Sequence, residues 1–129
     1  MNEKLIKIVK KFIGVLPSDW ESMIFSVFKR DCEVNGVKTV SKEFKCYSLA
    51  KSLEQPIDII KVYEENFEAE DLFFEFMDYL YLTYLKNSED NFVSFKLISD
   101  GNYELKTDKL DNDITNDKML SIIKNYLKK

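Results

Sequence analysis

Asp111, Asp113, Thr115 and Asp117 stand at alternate positions, the spacing at which a loop turns oxygen ligands toward one calcium ion. Such a loop closes only with Gly at its sixth position, for the sharp turn, and a bidentate Glu at its twelfth. Here Asn116 and Ile122 hold those places. The segment reads instead as the solvated acidic start of a helix, where carboxylates meet the positive end of the helix dipole. The chain has no histidine, which removes the commonest general base and the commonest metal ligand. Gly14, Gly36 and Gly101 are scattered, so no glycine-rich loop cradles a phosphate. Paired carboxylates can do acid–base work, but among 23 acids some pair falls close by chance. No catalytic residue, no metal site and no cofactor is expected, and the chain is not read as an enzyme. The two cysteines, Cys32 and Cys46, read as reduced structural thiols.

The elements that hold these residues follow from turn signals and periodicity. At 129 residues the chain is the size of one domain, 1–129, with a core that needs no staples. Leu5, Ile8, Val9, Phe12, Ile13 and Leu16 recur at helical spacing and predict a first helix over about Asn2 to Leu16, stopped by Pro17. Asn35-Gly36 is a two-residue hairpin signal, because a type I′ turn needs positive φ at both positions. It joins strands of about Trp20 to Glu33 and Val37 to Ser48. Val34 then lies opposite Val37, Glu33 opposite Lys38, Val27 opposite Phe44 and Phe25 opposite Cys46. This register puts Met23, Phe25, Val27, Phe44 and Cys46 on one face, as a half-buried sheet requires. Cys32 falls on the other face, so a disulfide to Cys46 is not expected.

A helical region follows from about Pro56 to Asn87. It divides into a short helix near Ile57 to Glu64 and a main helix from about Phe67 to Lys86, with Asn66 as the N-cap between them. A second hairpin, about Phe92 to Leu97 and Tyr103 to Thr107, turns at Asp100-Gly101. A five-residue loop sets Leu97 against Tyr103 and Phe95 against Leu105, which keeps the apolar face whole. Thr115 caps a last helix, Asn116 to Leu127, whose Met119, Ile122, Ile123 and Tyr126 face inward. The order α-β-β-α-β-β-α predicts an α+β fold, a four-stranded antiparallel sheet packed with helices. Phe25, Phe44, Phe95 and Leu105 are expected to be buried together against the main helix.

Within that helix, Asp71 to Leu85 reads DLFFEFMDYLYLTYL, apolar nearly all round. It is too short and too acidic to span a bilayer. Such a helix is expected at the centre of the fold, buried on two sides. The other reading leaves some of Tyr79, Tyr81 and Tyr84 exposed as a docking surface. Lys4, Lys7, Lys10 and Lys11 interrupt any signal-peptide core, so a soluble cytoplasmic protein is expected.

Charge is unevenly spread. Residues 1–53 carry ten Lys or Arg against six acids, while residues 54–90 carry eleven acids against two lysines. The acids near the main helix are Glu64, Glu65, Glu68, Glu70, Asp71, Glu75 and Asp78; Asp108, Asp111 and Asp113 form a second group. An acidic surface repels phosphate, which argues against direct nucleic-acid binding. It suits a basic protein partner reached by electrostatic steering. LPSDWESMIFSVF, a helix end followed by Pro-x-x-Trp and a strand, and NFVSFKLISDGNYELKTD, a strand pair around Asp-Gly, resemble the YezG-like immunity proteins. The resemblance implies a small cytoplasmic antitoxin paired with a secreted LXG-type polymorphic toxin, often a nuclease, and inhibition by binding alone. On that reading the ten acids are the candidate contacts with the toxin. The alternatives are a general interaction or regulatory domain with another basic partner, or an enzyme of unknown type.

Overall fold

The computed structural model describes residues 16–63 and 67–128, together with residues 3, 6, 7 and 10. The first predicted helix therefore lies almost wholly outside the described residues; Leu16, at its end, is buried. Asn66, the predicted cap, also lies outside them.

Asn35 and Gly36 adopt φ of 51° and 79°, the left-handed pair that matches the turn to the strands' twist. They join β1 (Trp20–Val34) to β2 (Val37–Ala50). The register is the expected one, with Glu33 opposite Lys38, Val27 opposite Phe44 and Phe25 opposite Cys46, and one bulge near Trp20. β4 (Phe92–Ile98) adds to the other edge of β1 and β5 (Tyr103–Asp108) to the outside of β4. Leu97 pairs with Tyr103 and Phe95 with Leu105, as the five-residue loop requires. Gly101, at φ 96°, completes that turn and donates its N–H to the Ile98 carbonyl.

The predicted four-stranded sheet and its α-β-β-α-β-β-α order are wrong. A fifth strand, β3 (Ile57–Asp58), precedes the short helix, and the antiparallel sheet runs β3-β2-β1-β4-β5. Two residues carry no alternation to read, and this pair sits where a helix start is expected. Ile57 bridges to Ser48 and Asp58 to Tyr47. The Asp58 carboxylate then accepts the N–H groups of Ile60 and Lys61 and starts α1 (Ile59–Tyr63). One side chain thus ends the strand and caps the helix.

Both faces of the sheet's centre are covered. Met23, Phe25, Val27, Cys46, Val93, Phe95 and Leu97 face α2 (Phe67–Leu80), which inserts Phe73, Phe76, Met77 and Leu80. Phe25 meets Phe76 edge-on at 5.2 Å, a favoured aromatic geometry. Ile24, Phe28 and Phe92 on the other face take Met119, Ile123 and Leu127 of α3 (Asn116–Lys128). Ser22, Ser26 and Ser94, small and buried, also lie on that face.

The two-sided burial expected of α2 does not hold. Phe74 and Tyr79 are exposed, as is Leu82 just beyond. The predicted α-helix over Phe67 to Lys86 also ends early. Tyr81–Leu85 form a π-helical turn, in which the Lys86 N–H donates to the Tyr81 carbonyl at 2.9 Å. The inserted residue rotates the helix, so Leu85 rather than Tyr84 enters the core. Lys29 closes this end, its ammonium donating to the Leu85 and Ser88 carbonyls at 2.7 and 2.9 Å. A cation on orphan carbonyls offsets the negative end of the dipole.

Of the four residues expected to be buried together, Phe25 and Phe95 are buried and Phe44 is half-buried. Leu105 is 37% exposed. α2 lies over the middle of the sheet, and every residue of β5 is exposed.

Candidate interaction surface

Two asparagine amides shape the acidic end of the molecule. Asn112, in the loop between β5 and α3, accepts the Asp31 N–H at 2.8 Å and donates to the Asp31 carbonyl at 3.2 Å. It occupies the edge of β1 that β4 leaves open, pairing as a strand residue would. Asn91 does the same to Leu110, with distances of 2.8 and 2.7 Å. Arg30 adds the third tie. Its guanidinium donates to the carbonyls of Asn112 and Ile114 at 2.6 and 2.9 Å and to Glu43 at 3.2 Å. Charge-assisted bonds to carbonyls are among the stronger ones, and this loop accepts them from its middle.

The loop so pinned carries Asp111 and Asp113, both exposed, with exposed Asp108 at the end of β5. Asp31 makes one amide pair through its own backbone, and Asp90 precedes Asn91 in the turn before β4, so both adjoin this clamp. Those two acids were not among the predicted surface residues. The contact that assembles them spans 81 positions, and no local pattern marks an amide that will pair with a distant backbone. The loop also forms an open hollow of about 610 Å³ lined by Lys109, Leu110, Asp113 and Lys118, among others.

The acids near α2 are arranged differently. Glu64 and Glu65 lie outside the described residues, and Glu68 and Glu70 fall in the first turn of α2. Asp71 and Glu75 are exposed. Asp78 accepts from the Lys42 ammonium at 3.0 Å, and that ammonium also sits 4.8 Å above the Tyr81 ring. α2 packs on one face of the sheet, whereas Asp108 lies on the face of α3, near Tyr126. Of the predicted acids, Asp71, Glu75 and Asp78 therefore belong to the α2 side and Asp108 to the α3 side.

Few groups near these patches carry shifted proton affinities. Burial, with Asp108 adding to it, raises the Tyr126 phenol. Tyr84 is raised by burial and then by Tyr79 and Tyr103, which places three tyrosines near one another beside β5. Burial and then Asp58 push the Cys46 thiol well up, so it is held as an unreactive thiol. Cys32 is half-buried on the opposite face, and both cysteines are free. Among the described residues, no three thiols or carboxylates converge on a point that could hold a metal. No described helix is long and apolar enough to cross a membrane. No family model, no curated protein and no solved structure matches the chain.

Proposed function

We propose that the chain is an immunity protein that works in the cytoplasm, binding a cognate secreted toxin with a basic nuclease domain and performing no catalysis itself. The observation that carries this reading is the acidic end, where exposed Asp111 and Asp113 sit on a loop fixed by Arg30, Asn91 and Asn112, with exposed Asp108 at the end of β5 leading into it. A nuclease cleft must attract phosphate and is positive, so a rigid acidic surface can occlude it with fast, steered association. The resemblance of the Pro-x-x-Trp and Asp-Gly segments to YezG-like immunity proteins points the same way.

The test uses a nuclease domain encoded beside the chain. Asp108, Asp111 and Asp113 are replaced together by Lys, and separately Asp71, Glu75 and Asp78. Exposed charges contribute little stability, so the first triple variant is expected to stay folded. Stopped-flow association at low salt is expected to slow by about tenfold or more, with a weaker salt dependence. Protection of nucleic acid from cleavage is expected to fall with it. If neither triple variant changes the rate at either salt, the acidic surface is not the recognition surface.

A further inference from the structure

β5 is the outermost strand of the sheet, and no described strand pairs with its outer edge. All six of its residues, YELKTD, are exposed. The Ile98 N–H donates to the Asn102 carbonyl at 2.8 Å, so the alternation of an antiparallel ladder turns the backbone groups of Glu104 and Lys106 toward β4. Those of Tyr103, Leu105 and Thr107 point outward. The same three residues have side chains on the α2 face, where Tyr103 is 58% exposed and stacks on Phe95 at 5.2 Å. Open edges with apolar side chains invite pairing with another strand.

The residue order says which strand fits. We propose that β5 pairs antiparallel with β5 of a second copy of this chain, about a two-fold axis through Leu105. Leu105 then faces Leu105, and Tyr103 faces Thr107, so the outward backbone groups of both strands meet in hydrogen-bonded pairs. On the opposite face Glu104 lies across from Lys106, and the symmetry makes this pair twice. Moving the axis by one residue either way, a register shift of two, destroys the match, setting Glu104 against Glu104 or Lys106 against Lys106, and like charges directly opposite are unfavourable. The outer edge of β2 is less open, because β3 already pairs with Tyr47 and Ser48 there. Centring a self-pairing on Val40 opposes Lys38 to Lys42, and centring it on Lys42 opposes that residue to itself. The paired β5 strands would merge two five-stranded sheets into one of ten. They would also join the exposed Tyr103 and Leu105 of both copies into one apolar strip. Lys106, now 4.8 Å above the Tyr126 ring, can reach across the new edge without disturbing the core, since both β5 charges are exposed.

Sedimentation equilibrium on the full chain, from low micromolar to near-millimolar concentration, tests this. The native chain is expected to dimerise reversibly, more weakly at high salt. Glu104→Lys and Lys106→Glu are each expected to weaken the dimer by roughly tenfold or more, because each sets like charges opposite across the axis. Mixing the two variants is expected to restore a dimer, since every Lys then faces a Glu. Hydrogen exchange is expected to show concentration-dependent protection of the Tyr103, Leu105 and Thr107 amides. A chain that stays monomeric throughout overturns the proposal. So does a dimer indifferent to both reversals, or β5 amides protected only when a different protein is added.

Discussion

Phe25 meets the rings of Phe73, Phe76 and Phe95 and has no exposed surface. Phe25→Ala is expected to cost about 3–5 kcal/mol, the usual range for a large cavity in a core that cannot collapse. Leu105→Ala, at a site on the same face of the sheet, is expected to change the stability of the dilute chain by less than about 0.5 kcal/mol. Phe44, half-buried with its ring tilted against an exposed Phe74 at 5.7 Å, falls between them. Urea denaturation of the three variants checks the ranking, and a Leu105→Ala cost equal to that of Phe25→Ala would contradict it. The face of each residue was legible because the Asn35-Gly36 turn sets a register and the register sets the side. Its depth was not, since depth depends on how far α2 reaches across the sheet.

Both hairpins and the last helix follow from turn and cap chemistry within a few residues of each boundary. Gly36 shows how little else that turn needs. No atom lies within 4 Å of the position a Cβ would occupy, and φ is 79°. Gly36→Ala is therefore expected to cost about 1 kcal/mol from the backbone alone, with thermal unfolding still a single transition. A much larger loss would mean that the turn packs against something. What sequence reasoning missed at this scale shares a cause. β3 is too short for a period, and the π turn at Tyr81–Leu85 is set by which residue the core will accept. The clamp of Arg30, Asn91 and Asn112 joins segments far apart in the chain. Two of the three acids in the second predicted patch sit on the loop this clamp holds; Asp31 and Asp90 became visible only with it.

For the molecule as a whole, pH is a clean probe because no histidine titrates near neutrality. Burial raises Cys46, Tyr47, Tyr84 and Tyr126 above their ordinary values of 9.0 for Cys and 10.0 for Tyr. Each therefore loses its proton later in the folded chain than in the unfolded one. Their contribution is complete below the unfolded values and is lost as pH rises through them toward the folded ones. Stability is expected to be flat across neutral pH and to fall above about pH 9, as read from urea midpoints. Cys46→Ala is expected to delay the start of that fall toward the tyrosine range. A midpoint that holds steady into strong alkali would show that these groups are not buried in solution.

The central place of β1 has a consequence in time. One of its edges is satisfied by β2, the next segment of chain, across a two-residue turn. The other waits for β4, which arrives only after the whole helical segment has been made, so that Phe28 can meet Phe92. Short loops close at far smaller entropic cost and far sooner than long ones. The β1–β2 hairpin is thus a template present early, on which α2 and β4 later condense. The loss caused by Gly36→Ala is then expected in the refolding rate, leaving the unfolding rate almost unchanged.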